Sequence, residues 1–125
     1  MVGLPPDALP PPPAGGPWLA FMADGKEFAL PIGELVEVIR YRTPTMVPGV
    51  SPAVEGILPH RGRMVTLVDL RRSLGLTPRT PGAGARVIIA ASGGEWHGVV
   101  VDDVVRVVGR HEHILDLQAV LGAIR

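Results

Sequence analysis

The sequence predicts an all-β chain, built as two small barrels packed together with two short helices. Three observations predict it. Short apolar segments rich in Val, Ile and Leu follow one another at close spacing, broken by Gly, Pro and Asp. The pattern occurs twice along the chain. Only two stretches, each about two turns long, carry a helical pattern.

Residues 1–17 stand apart. Pro5, Pro6, Pro10–Pro13 and Pro17, with Gly15 and Gly16, remove backbone donors and fix extended geometry, so this segment is expected to be a disordered tail. The folded domain is expected over residues 18–125. Trp18–Ala23 and Phe28–Ile32 flank Asp24-Gly25-Lys26-Glu27, a hairpin signal. Pro31 cannot donate to a ladder, which puts its strand at an open edge. Further strands are expected at Val36–Ile39, Thr45–Val47, Val54–Leu58, Met64–Val68, Val87–Ala91, Gly98–Val101, Val104–Val108 and Ile114–Leu115. Leu70–Leu76 and Leu117–Ala123 are the two helical segments.

The repeat is the most informative feature. Ala29–Ile39 lies without gaps over Gly98–Val108, and Leu67–Gly75 over Ile114–Gly122. The hairpin turns correspond as well, Asp24–Phe28 against Gly93–His97. In each copy an Asp ends a strand, Asp69 or Asp116, where its carboxylate can accept from the free N–H groups of the short helix that follows. The copies are unequal. Arg40–Thr66 separates the matching blocks in the first, and only Gly109–His113 in the second. The second barrel is therefore expected to be incomplete, with an open strand edge that a partner, or a second copy by strand exchange, can close.

Composition narrows the function classes. Twelve basic residues balance twelve acidic ones and aromatics make up 4%. A nucleic-acid-binding barrel is the alternative reading, but the chain lacks the positive field and the stacking surface such a protein uses. The absence of cysteine excludes disulfides and thiolate chemistry. Neither a secretion signal nor a run of roughly 20 apolar residues is present, so a cytoplasmic protein without membrane insertion is expected. Asp102-Asp103 reads as a turn cap, since adjacent strand residues point to opposite faces and cannot act on one substrate. His111-Glu112-His113 is too short a turn to hold a metal unaided. No nucleophile is paired with a base, and no cofactor or metal is implied, so the chain reads as a non-catalytic protein.

Several segments in order resemble the CheW-like coupling-protein family: Phe28–Ile32, Val36–Ile39, Val47-Pro48, Pro52–Ile57, Arg61-Gly62, Val65–Arg71 and Gly98–Asp102. The resemblance runs from about Phe21 to Val108 and resumes at Ile114–Leu117. It implies two SH3-like barrels and an adaptor that binds the cytoplasmic signalling tip of a chemoreceptor, a methyl-accepting chemotaxis protein, and couples it to a CheA-type histidine kinase. The short length and the Pro/Ala/Gly/Arg-rich composition are similar to reduced members of the family in gliding bacteria.

On that pattern Arg61 and Glu37 form a partner-facing pair, and Leu35, Val38, Val87 and Val99 line an apolar groove between the barrels. Arg86 stands where the family carries an apolar residue. Gly56 and Gly62 are read as structural. Two departures matter: Pro59-His60-Arg61-Gly62 replaces the family's Asn-Leu-Arg-Gly, and the second barrel is shortened between Val108 and Ile114. The shortening is expected to weaken kinase binding.

Overall fold

The computed structural model describes residues 17–77, 80–110 and 113–121. Eight strands are present: β1 (Trp18–Ala23), β2 (Lys26–Pro31), β3 (Leu35–Arg40), β4 (Val54–His60), β5 (Arg63–Asp69), β6 (Arg86–Ser92), β7 (Glu95–Val101) and β8 (Asp103–Val108). Two short helices follow β5 and the last bridge, α1 (Leu70–Ser73) and α2 (Leu117–Leu121). The expected strands at Thr45–Val47 and Ile114–Leu115 reduce to single bridges, Thr45 to Ile57 and Ile114 to Ala29. Almost all of the expected tail lies outside the described residues.

The strands form a five-stranded sheet, β3-β6-β7-β5-β4, and a three-stranded sheet, β2-β1-β8. Each sheet takes strands from both sequence copies. The β6–β7 hairpin of the second copy sits among β3, β4 and β5 of the first, while β8 of the second copy pairs with the first copy's β1. The two halves are thus exchanged, a feature the repeat did not reveal.

The duplication holds down to register. Val38 pairs with Ile88 in one lobe and its counterpart Val107 with Leu19 in the other. The pairing shifts at Val36 in β3 and at the matching Val105 in β8, so both copies carry a bulge at one place. Leu67 pairs in parallel with Gly98, and Ile114 in parallel with Ala29, again the aligned residues. Both hairpins turn on two residues of positive φ, Asp24-Gly25 and Gly93-Gly94, as the tight turns that match strand twist require. Asp69 accepts from the Arg71 N–H and Asp116 from the Gln118 N–H, each at 3.0 Å, so both short helices are capped as expected.

One strand has no counterpart. β4 pairs with β5 along its length, and nothing described stands in that place beside Ile114. Among the described residues the second copy's barrel therefore lacks this strand. The core follows from the same layout. A shared apolar cluster joins the lobes through Phe21, Leu30, Val68, Leu70, Ile88, Val99, Leu117 and Leu121. A second cluster fills the five-stranded lobe, with Leu58 of β4 over Val65, Leu67, Val87 and Ile89.

Candidate functional site

The corner of the complete lobe starts from a turn. His60-Arg61-Gly62-Arg63 joins β4 to β5 with φ of 50° at Arg61 and 75° at Gly62. Gly62 adopts that conformation freely; Arg61 takes a left-handed backbone that non-glycine residues seldom adopt. The turn carries the Arg61 side chain out from the sheet, where it is 65% exposed.

Glu37 meets it from β3. The Arg61 Nε donates to Glu37 Oε1 at 2.8 Å and Nη2 to Oε2 at 3.1 Å, a two-point clamp that fixes both planes. His60 Nε2 lies 3.0 Å from the same Oε1, and its Nδ1 lies 3.4 Å from Arg42 Nη2. Hydrogen bonds from Arg61 and then His60 hold the Glu37 carboxyl down at about 2, against an ordinary value near 4.5. The carboxylate raises the Arg61 guanidinium in turn. The corner therefore presents a charged, fixed guanidinium paired with an ionised carboxylate. Such an arrangement can recognise a carboxylate or carbonyl on a partner.

A model of the CheW-like domain matches residues 17–123. The chain belongs to the CheW-like family. It is 33% identical over 98 residues to the chemotaxis protein CheW of Bacillus subtilis, covering 78% of this chain and 63% of that one. It is 31% identical over 86 residues to protein PilI of Pseudomonas aeruginosa, covering 69% of this chain and 48% of that one. The crystal structure of the scaffolding protein TtCheW from Thermoanaerobacter tengcongensis superposes with a TM-score of 0.71 at 27% identity, covering 74% of this chain and 64% of that one. This chain thus spans between about half and two thirds of the length of these relatives.

Within the CheW-like frame the residues singled out by sequence fall into three groups. Glu37 and Arg61 are brought together, with Val38 exposed next to Glu37 on β3 and Leu35 half-buried against the shared core. Arg86 opens β6, and its Nη1 donates to the carbonyls of Gly84 and Ala85 at 3.0 and 3.1 Å. Val87 and Val99 do not line a groove. Both are fully buried, Val87 inside the five-stranded lobe and Val99 between the lobes, because the two faces of β6 and β7 pack into the two apolar clusters. Gly56 sits at the bulge of β4, where a Cβ would overlap the Thr45 carbonyl.

Two participants escaped the sequence reading. His60 is the second donor to Glu37, signalled only by its departure from the family pattern. Arg71 is buried in α1, donates to both Asp102 oxygens at 3.3 and 2.7 Å, and reaches Asp24 and the Thr77 carbonyl at 3.0 Å each. Asp102 is therefore an ion-pair partner, while Asp103 accepts from the Val104 N–H at 2.8 Å. Among the described residues no three His, Cys, Asp or Glu side chains form a metal group, and no helix is long and apolar enough to cross a membrane. His111 and Glu112 lie outside the described residues.

Proposed function

We propose that this protein is a non-catalytic adaptor of a chemotaxis-type two-component pathway. It docks on the cytoplasmic tip of a chemoreceptor through the corner built by Glu37 and Arg61, and Leu35, Val38 and Arg86 are assigned to the wider contact. One observation carries this reading: an exposed arginine is held rigid by two hydrogen bonds on a strained two-residue turn. An arginine whose geometry is already fixed loses little side-chain freedom on binding. Membership of the CheW-like family supports the pathway.

The incomplete lobe supports a finer reading. A kinase of the CheA type that contacts both lobes of a full-length relative finds one lobe without its β4 counterpart, so receptor binding is kept and kinase binding weakened. The test is a titration of the purified protein with a receptor signalling tip, then with a kinase regulatory domain. Arg61→Ala and Glu37→Ala should each weaken receptor binding at least about tenfold, as loss of a charge-assisted pair does. Undiminished binding by both folded variants removes the corner from the site. Tight kinase binding with kinase activation removes the second part.

A further inference from the structure

A cavity of about 510 Å³ lies on the closed, five-stranded lobe, between the segment that follows β3, the start of β4 and the start of α1. Pro44 and Val54 give it carbon walls, while Tyr41, Glu55, Asp69 and Arg72 supply its polar lining. Apolar walls with a few converging polar groups are the usual form of a binding site. The backbone is shaped to put Glu55 there. Val54 pairs with Val68 and Gly56 with Leu67, so Glu55 is the extra residue of the β4 bulge. A bulge re-aims one side chain of its strand, and here the Glu55 carboxylate accepts from the Tyr41 hydroxyl at 2.9 Å. The bridge between Thr45 and Ile57 pins the bulge to the segment that follows β3.

The charges in this lining do not balance. Asp69 is buried, and Arg72 Nε stands 3.5 Å from its Oδ2. Two carboxylates thus share one guanidinium. Burial raises the half-buried Glu55 carboxyl, and the Asp69 carboxylate adds to the rise, against the Tyr41 hydrogen bond and Arg72. The Tyr41 hydroxyl is raised by burial, by Glu55 and by Asp69 in that order. A cation that enters relieves all three groups, and the poorly polarisable walls strengthen the attraction. An anion would meet two carboxylates of its own sign.

The rim narrows the source of that cation. Met46, which also lines the cavity, is 82% exposed, and Pro52 beside it is exposed too. A small hydrated ion gains nothing from such apolar surface, whereas a basic side chain on a folded partner brings an apolar stem and apolar neighbours to it. Arginine suits the site better than lysine, because its planar fork pairs with carboxylates at two points and sheds water more readily. We propose that this cavity is a docking socket for an arginine side chain of a partner protein, with the residues flanking that arginine resting on Met46 and Pro52. The socket does not depend on the receptor reading, which rests on Glu37 and Arg61.

The experiment titrates the ¹⁵N-labelled full chain with the peptide acetyl-Leu-Arg-Leu-amide, with its uncharged citrulline analogue and with methylguanidinium chloride. The arginine peptide is expected to shift the amides of Tyr41, Glu55 and Asp69 and to bind about tenfold more tightly than the citrulline peptide. Glu55→Gln keeps an acceptor for the Tyr41 hydroxyl and removes the charge, so the folded variant should lose that preference. A bound cation favours the ionised carboxylate, so in the wild type the preference should shrink as pH falls through the Glu55 titration, which saturation with the arginine peptide should lower. Equal binding of the two peptides, a preference that survives Glu55→Gln, or shifts confined to Glu37 and Arg61 would overturn the proposal. So would methylguanidinium that binds as tightly as the peptide, or self-association of the chain that Glu55→Gln abolishes.

Discussion

Arg71 and Asp102 tie the two lobes together. The guanidinium leaves α1 at the end of the five-stranded sheet. It closes on the carboxylate at the β7–β8 crossover through Nε to Oδ1 at 3.3 Å and Nη2 to Oδ2 at 2.7 Å. Asp102 Oδ2 also accepts from the Asp24 N–H at 2.9 Å, which ties in the β1–β2 turn. The Arg71 side chain is only 6% exposed, and truncation takes one donor from each of Asp24, Asp102 and the Thr77 carbonyl. Arg71→Ala is expected to cost about 2–3 kcal/mol of folding stability, read as a lower urea midpoint with unchanged slope. Arg71→Lys keeps the charge but not the fork and should recover less than half of the loss.

The Glu37 corner makes a pH prediction. Glu37 titrates near 2 in the folded chain and near 4.5 when unfolded. A carboxylate whose folded value is depressed stabilises the fold fully above its unfolded value, and that contribution is lost as pH falls from about 4.5 to 2. Urea unfolding of the wild type and of Glu37→Gln should therefore differ at pH 6 and converge near pH 2. A gap that stays constant over that range would show the pair to be uncoupled from folding.

Much of this architecture was legible in the sequence, because duplication leaves a readable trace. The Asp-Leu step at Asp69 and Asp116 gave both helix starts, and Pro31 marked β2 as an edge strand. The exchange of halves between lobes was not legible. Nothing in Val38 or Val107 says which hairpin each will pair with, since both copies present the same pattern. The same limit explains Val87 and Val99: alternation marks a residue as apolar-facing, but only the packing of the other elements on that face decides whether it is a groove or a core. Arg71 was hidden for another reason. Its partners Asp24 and Asp102 lie 47 and 31 residues away and meet it only after the lobes pack.

Tyr41 is the chain's one tyrosine, which makes its titration directly observable. Its hydroxyl donates to Glu55 Oε1 at 2.9 Å. Burial, then the hydrogen bond to Glu55, pushes Tyr41 up to about 12 from an ordinary value of 10. Tyrosinate absorbance should rise with a midpoint near 12 in the folded protein and near 10 in denaturant. An acid raised on folding favours the fold below its unfolded value and loses that preference as pH climbs, so stability should fall between about 10 and 12. Tyr41→Phe should remove this alkaline loss. It also takes the donor away from Glu55, whose carboxyl burial already raises, so the variant should be about 1 kcal/mol less stable at pH 7.

Gly56 and Gly98 test the packing that positions the corner, and they should respond differently. At Gly98 a Cβ would stand 2.5 Å from Val87 Cγ1 and 2.6 Å from Leu67 Cδ2, both side-chain methyls in the core of the closed lobe. Those side chains can shift, at a cost of about 1–3 kcal/mol for an overpacked core. Its counterpart in the open lobe is Ala29, where Ile114 and Trp18 replace Leu67 and Val87, and there a Cβ is accommodated. At Gly56 the obstacle is the Thr45 backbone itself, held by two hydrogen bonds, Thr45 N–H to the Ile57 carbonyl at 2.9 Å and Ile57 N–H to the Thr45 carbonyl at 2.8 Å. Relief requires breaking that bridge and moving β4, which carries His60 and leads into the Arg61 turn. Gly56→Ala should therefore destabilise more than Gly98→Ala in urea unfolding. It should also loosen the Arg61–Glu37 contact, seen as a rise in the Glu37 carboxyl titration by NMR that Gly98→Ala does not produce.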